Sequence, residues 1–348
     1  MNRRSFLAAA SATSAALAAA PEGRAAAKAE GRLKVVVPRL RPEELSDLQA
    51  TAPDVELVVC QNEDEAVARV GEAQGLYGLL TPRVLRAGAK SLRWAQNGSA
   101  GVEHLMGIPE LVDGPIVLTN MQRAFAPEIA DQALAYLLAF TRDIPHFLAS
   151  NADKRWGSRR PGVVLDELAG KTMLVIGLGG IGSEIARRAY GFGVRVIATD
   201  PKVLERPLFV DELHRPDKFR ELLPRAEIVA SAVPLTKAST RMIGAEEFAL
   251  MKPGTILINV SRGKVVDTDA LVAALDSGRV SAAGLDVTDP EPLPDGHPLW
   301  SRNVIITPHT AGQSPGGDRR RHEILRENLR RFAAGEALLN VVDKQAGY

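Results

Sequence analysis

The chain is predicted to fold as an α/β protein with two parallel sheets, each covered by helices on both faces. Three observations carry that prediction. From Leu33 onward, short β-rich runs alternate with segments of helical spacing, which is the pattern of repeated βαβ units. The runs of the second half are apolar along their whole length, as strands covered on both faces are. And 348 residues suffice for more than one core.

Taken in order, the first 27 residues read as targeting rather than fold. Arg3 and Arg4 head a short, weakly apolar stretch from Phe6 to Ala20, below the roughly 20 residues a bilayer span needs. Ala25-Ala26-Ala27 offers a cleavage site. The Phe6-Leu7 pair after the two arginines favours a twin-arginine export signal over an ordinary secretory leader, so the mature protein is expected in the periplasm. A misassigned start codon, leaving the protein cytoplasmic, is the alternative.

Next come the strands "LKVVV", "VELVVC", "LYGLL" and "LRWAQ", separated by helical segments such as "PEELSDLQA" and "EDEAVARVGEA". A long apolar helix is predicted from Pro127 to about Phe147 ("PEIADQALAYLLAF"), with proline at the first helical position. A second strand series follows: "TMLVIG", "RVIATD", "EIVASAV", "TILINV", "AAGLDV" and "NVIITP". A final helix, about Asp318 to Ala334, carries arginines that read as a solvated face. Net charge is +1, and no basic stripe or aromatic platform for nucleic acid is present. Cys60 is the only cysteine, which excludes an intrachain disulfide and any cysteine-rich metal site, and no metal is expected.

"LVIGLGGIGSEIARRAYGFGVRVIATD" places Gly177-x-Gly179-x-x-Gly182 between a strand and a helix. There the glycines serve a tight turn, close backbone approach to a pyrophosphate, and strand–helix packing. Gly180 and Ile181 lie at the helix start, whose free N–H groups and positive dipole end suit phosphates. Asp200 closes the next strand, eighteen positions past Gly182, where a ribose diol is held. Its carboxylate accepts from two hydroxyls but repels a 2′-phosphate, so NAD is expected rather than NADP.

Three further side chains emerge at strand C-terminal ends, the edge where such sheets bind ligands. Arg262 ends "INVSRG" just past Val260 and Ser261. Asp286 ends "GLDV", with Glu291 in the loop beyond it, and His309 follows "VIITP". A guanidinium clamps a carboxylate with two parallel hydrogen bonds. A histidine moves protons near neutral pH, and a neighbouring carboxylate favours its charged form.

With these motifs in hand, the chain resembles the D-isomer-specific 2-hydroxyacid dehydrogenases. The resemblance runs through "QNGSAGVEHL", "LTNMQRAFAPEIADQALAYLLAF", "ELAGKTMLVIGLGGIG", "LMKPGTILINVSRGKVVDTDALVAAL", "GLDVTDPEPLP" and "NVIITPHTAG" to the closing "NVVDK". It implies two Rossmann-like domains with the site in the cleft between them: a flavodoxin-like substrate domain (31–123 plus 314–348) and an NAD-binding domain (124–313). It also implies roles. Arg262 would bind the substrate carboxylate and His309 would be the acid/base. Glu291 would orient His309, and Asp286 would hold the nicotinamide carboxamide. Val260 and Ser261 would line the cofactor, and the backbone around Ala100 and Gly101 would form an anion nest. A homodimer is implied as well. Substrate selectivity is expected from the loops Arg93–Glu103 and Arg123–Phe125.

The chain departs from the family pattern at Gly180, often arginine in relatives, which removes one phosphate contact. It departs also at Asp131-Gln132, where an acid–histidine pair is common, and at Ala232, often histidine. Two other readings compete with an NAD-dependent dehydrogenase of a small D-2-hydroxy acid. One is an NADP-dependent glyoxylate or hydroxypyruvate reductase, disfavoured by Asp200. The other is a non-catalytic dinucleotide-sensing protein, disfavoured by the intact Arg–Glu–His set. Nicotinamide dinucleotides are made inside the cell, so a twin-arginine route is expected to export the protein with its cofactor already bound.

Overall fold

A computed structural model describes residues 32–202 and 205–348; the expected export leader lies outside the described residues. The first sheet holds β1 (Leu33–Pro38), β2 (Val55–Cys60), β3 (Gly75–Tyr77), β4 (Trp94–Gln96) and β5 (Val117–Thr119), in the order β2-β1-β3-β4-β5 and parallel throughout. Its connecting helices are α1 (Pro42–Thr51), α2 (Glu63–Val70), α3 (Pro82–Gly88) and the short α4 (Pro109–Val112). Val35, Val36 and Val37 of β1 are all buried, Val36 in the core on one face and its two neighbours in the core on the other. This is why "LKVVV" shows no polar alternation. β5, a three-residue strand, has too short an apolar run to stand out in the sequence.

Two helices follow: α5 (Ala126–Thr141) and α6 (Ile144–Ala152). The single helix expected from Pro127 to Phe147 is thus broken. Asp143 adopts a left-handed conformation (φ 53°) and pairs through its carboxylate with Arg160. Pro145 then sits in the first turn of α6, where its missing N–H costs nothing, whereas in a continuous helix it would remove a hydrogen bond.

The second sheet is larger. It comprises β6 (Thr172–Ile176), β7 (Arg195–Thr199), β8 (Glu212–His214), β9 (Ile228–Ser231), β10 (Thr255–Asn259), β11 (Val280–Leu285) and β12 (Val304–Ile306), in the parallel order β12-β11-β10-β9-β6-β7-β8. The edge strand β8 was not expected, because "ELH" carries no apolar signal. The helices here are α7 (Gly180–Gly191), α8 (Phe219–Leu222), α9 (Ala245–Leu250) and α10 (Thr268–Asp276). Helix α5 packs on this sheet, with Ala130, Ala133, Leu134 and Leu137 in its core. Arg188 of α7 donates to Asp131 of α5 at 2.6 Å.

The last helix, α11 (Pro315–Ala334), returns to the first sheet, where Leu325 and Leu329 pack with Trp94. Buried Asn328 donates to Gln96 of β4 and to the Leu339 carbonyl, and accepts from the Leu339 N–H. The arginines of α11 are not simply a solvated face. Arg320 pairs with Glu128 of α5 and donates to the Ala124 carbonyl at 2.6 Å, so it ties the helix to the segment joining the two sheets. Among the described residues no helix is long and apolar enough to cross a membrane.

Candidate active site

Parallel strands send their C-terminal ends to one edge, and the register makes this concrete. Asn259 of β10 is level with Leu285 of β11, which is level with Ile306 of β12. Arg262, Asp286 and His309 lie one to three residues beyond that row. Their loops are stitched together by the backbone: the Asp286 N–H donates to the Asn259 carbonyl, and the His309 N–H to the Asp286 carbonyl at 2.8 Å. Gly263 completes the contact, because a Cβ there would lie 1.8 Å from the Thr288 carbonyl oxygen. The arginine loop therefore rests directly on the loop that leads to Glu291.

His309 has a left-handed backbone (φ 54°), and its Nδ1 lies 2.7 Å from Glu291 Oε1. In the neutral tautomer that donates Nδ1–H to this carboxylate, Nε2 is the nitrogen that keeps its lone pair. The other Glu291 oxygen accepts from the Thr288 N–H at 3.3 Å. Both side chains are more than two-fifths exposed, which leaves the pair open to a small reactant.

Asp286 is buried. Its Oδ1 accepts from the Thr307 hydroxyl (2.6 Å) and the Thr310 N–H (2.9 Å), and the Ala311 N–H reaches both of its oxygens at 3.1 Å. Tyr136 of α5 extends this chain by bonding the Thr307 hydroxyl, and burial pushes its phenol above the ordinary range. The carboxylate expected at the nicotinamide is thus spent largely on holding the His309 loop. Val260 and Ser261 are also buried, and the Ser261 hydroxyl is engaged by Asn259 and Ser231. Their N–H groups are engaged too, Val260 by the Ser231 carbonyl and Ser261 by Asn259 Oδ1.

Arg262 reaches across to the first sheet. Its Nε donates to Glu103 at 2.6 Å, one Nη donates to the Ser261 carbonyl, and a Cβ on Gly101 would lie 1.7 Å from the other Nη. Only glycine leaves room for that guanidinium. Burial raises the affinity of Glu103 for a proton, but the Arg262 hydrogen bond and charge outweigh it and hold the carboxyl below the usual range. Beside this pair, the N–H groups of Ala100 and Gly101 meet no acceptor among the described residues, while their carbonyls accept from Asn120 and Asn97. The sequence named Glu103 only as the end of a substrate-selecting loop, not as the partner of Arg262. Its signal was an acid directly after an anion nest, an arrangement that needs a cation nearby. Tyr136 was missed too, although a lone tyrosine in "LAYLLAF" needs a partner for its hydroxyl.

The glycine loop fits a dinucleotide. Gly177 has φ 87°, and a Cβ on Gly182 would lie 1.8 Å from the Gly177 carbonyl oxygen, so the turn closes only without side chains. A Cβ on Gly179 would meet nothing, and α7 starts without a side-chain cap, which leaves its first N–H groups for an anion. Ile181 is half-buried against the sheet core. Asp200 stands at the end of β7, where one oxygen accepts from the Leu178 N–H and the other from the Lys202 N–H, both at 2.8 Å. Lys202 lies over the ring of Tyr348, 4.7 Å from its centre, so the chain's last residue stands beside this end of the cleft. Among the described residues no three histidines, cysteines or acids gather as a metal ion would require.

Comparison with known proteins follows the same outline. Residues 134–311 match the family model of the D-isomer specific 2-hydroxyacid dehydrogenase NAD binding domain. The chain is 34% identical to the glyoxylate reductase of Thermococcus gammatolerans over 324 residues, covering 90% of this chain and 96% of that one. It is 30% identical to the D-3-phosphoglycerate dehydrogenase of Methanocaldococcus jannaschii over 315 residues, but spans only 59% of that protein's length. Among solved structures, a D-isomer specific 2-hydroxyacid dehydrogenase from Xanthobacter autotrophicus, crystallised with NADPH and MES, superposes with a TM-score of 0.76 at 29% identity, over 91% of this chain and all of that one. The chain therefore belongs to the D-isomer specific 2-hydroxyacid dehydrogenases, oxidoreductases that act on the CH–OH group of 2-hydroxy acids.

Proposed function

We propose that this chain uses NAD to interconvert a small D-2-hydroxy acid and its 2-oxo acid, with His309, Glu291 and Arg262 as the working side chains. The observation that carries this reading is the His309 Nδ1–Glu291 contact of 2.7 Å, with Nε2 left available and Arg262 held on the adjoining loop. The nicotinamide, when bound along the Gly177–Gly182 turn, would supply the hydride chemistry at the substrate's C2. In oxidation His309 Nε2 takes the proton of the C2 hydroxyl, while Glu291 stabilises the imidazolium that forms and fixes its tautomer. In reduction the same nitrogen returns the proton to the carbonyl oxygen. Arg262 binds the substrate carboxylate, with the Ala100 and Gly101 N–H groups as further donors. Asp286 fixes the backbone of the His309 loop, and its Oδ2, with a single donor, is the atom left for the carboxamide.

Asp200 supports NAD as the preferred cofactor, since a 2′-phosphate would meet its carboxylate. The second reading, NADPH, is favoured by Lys202 two residues on. Initial rates with a panel of 2-oxo acids and either reduced cofactor, repeated with His309→Ala, test the assignment. Turnover with NADH that the variant abolishes is the expected result. No turnover of any 2-oxo acid with either cofactor overturns it. We also propose export by the twin-arginine route with cofactor bound, supported by Arg3 and Arg4. Native mass spectrometry of protein recovered from the periplasm is expected to show the dinucleotide mass, and protein found only in the cytoplasm overturns the route.

A further inference from the structure

Arg123 sits in the segment that joins β5 to α5, and it is one of few non-glycine residues with a left-handed backbone (φ 72°). Its neighbours hold it there. The Gln122 carbonyl accepts from Asn340, and the Ala124 carbonyl accepts from Arg320 of α11. A side chain in this conformation persists only where the surroundings over-determine it. Here the result is a close meeting with the cofactor helix. A Cβ added to Gly180 would lie 2.8 Å from Arg123 Cγ and 3.2 Å from its Cα. The Arg123 side chain therefore crosses the first turn of α7 in the space that a side chain at position 180 would fill.

The electrostatics of that position are unfavourable as they stand. A helix start carries partial positive charge and leaves N–H groups without acceptors, so a cation beside it is repelled and an anion is attracted. The Arg123 side chain is exposed, and its guanidinium has no hydrogen-bond or ion-pair partner among the described residues. A guanidinium carried on a side chain whose Cγ packs at an uncapped helix start in a dinucleotide-binding domain lies within reach of whatever anion that helix start binds.

We propose that Arg123, supplied by the interdomain segment, is a cofactor-binding residue that pairs with the pyrophosphate of the bound dinucleotide. This rests on the reading that the Gly177–Gly182 turn cradles that pyrophosphate. It removes Arg123 from the substrate-selecting loops in which the sequence placed it. It also means that cofactor binding acts on the connection between the sheets, because the same segment is pinned by Arg320 and Asn340 from the first domain.

The test is Arg123→Gly, a change that the positive φ favours, so the protein without ligand is expected to melt no lower than wild type. NADH binding is followed by fluorescence, and ADP-ribose and adenosine binding by calorimetry. Loss of a charge-assisted contact is expected to weaken NADH and ADP-ribose about tenfold while leaving adenosine, which has no phosphate, unchanged. Equal NADH affinity in the two proteins overturns the proposal. So does a variant whose KM for the 2-oxo acid rises while its dinucleotide affinity stays fixed. A wild-type protein that binds no dinucleotide at all overturns this proposal and the functional reading together. Wild-type binding with an indifferent variant removes Arg123 alone.

Discussion

The two ends of the cleft are built in different ways. Arg123 apart, the dinucleotide end comes from one unbroken stretch, Gly177 to Asp200, in which Gly182 packs on Gly177 and Asp200 accepts from the Leu178 N–H. The proposed acid–base end is assembled from four separate segments, carrying Gly101 with Glu103, Arg262, Glu291 and His309, and the Arg262–Glu103 bond joins residues 159 positions apart. The first is largely a local structure, contained in one βαβ unit. The second exists only while two sheets keep their relative placement. Cofactor affinity and catalytic competence should therefore respond to different substitutions.

The strongest way to break that division is at its chemical extreme. His309→Ala removes the proton-transfer group and leaves the glycine loop untouched. It is expected to lower kcat by about 10²–10⁴, with the NADH dissociation constant unchanged. Stopped-flow reduction of a 2-oxo acid alongside NADH fluorescence measures both. A parallel collapse of NADH affinity would show that the ends are one structure. At the other extreme, Gly182→Ala forces a methyl against the Gly177 carbonyl, 1.8 Å from its oxygen, where only backbone can yield. Overpacking of this kind costs about 1–3 kcal/mol, read as a lower melting temperature together with lost NADH binding. Retention of NADH affinity would mean that the turn tolerates a side chain.

The same division governs what could be seen in the sequence. The strands of the second sheet, the glycine turn, Asp200 and the strand-end positions of Arg262 and His309 were all legible, because each is written in a few adjacent residues. β8 was not, since an edge strand stabilised by Glu212 and its cations has no apolar pattern. The break at Asp143 needed a left-handed residue and an ion pair with Arg160 that lie outside helical periodicity. The bond from Glu103 to Arg262 and that from Tyr136 to Thr307 were missed for one reason: each residue takes its meaning from a partner more than a hundred positions away. The place of Asp286 at a strand end was legible, but its burial and its service to the His309 loop depend on tertiary contacts that the motif does not encode.

Glu103→Gln sharpens the comparison at the seam between the domains. Glutamine keeps the shape but gives Arg262 a neutral partner, so the guanidinium loses orientation rather than charge. KM for the 2-oxo acid is expected to rise about threefold to tenfold, with a smaller change in kcat and none in NADH affinity. A fall in KM would mean that Glu103 competes with substrate for Arg262. Because Arg262 holds the Glu103 carboxyl below its ordinary range, the pair stabilises the protein above the ordinary carboxylate pKa. That contribution disappears as pH falls through the lowered value, so wild-type and variant melting curves should converge in acid.

The smallest expected effect belongs to the rigid half, at its outer edge. Glu212 of β8 binds Arg225 and Arg195, each at 2.5 Å, and His214 at 3.0 Å. Led by the Arg225 hydrogen bond, these partners draw its carboxyl from 4.5 down to about 2. A lowered native pKa means stability that is complete above about pH 4.5 and is lost as pH falls toward 2. The cluster faces solvent, so screening keeps its worth to about 1 kcal/mol or less. Glu212→Gln is therefore expected to melt slightly lower at pH 7 and indistinguishably from wild type near pH 2, with NADH affinity unaffected at neutral pH. If the variant also lost NADH affinity, the edge strand would be shown to set the position of Asp200, whose N–H donates to the His214 carbonyl. The dinucleotide end would then depend on long-range contacts as the catalytic end does.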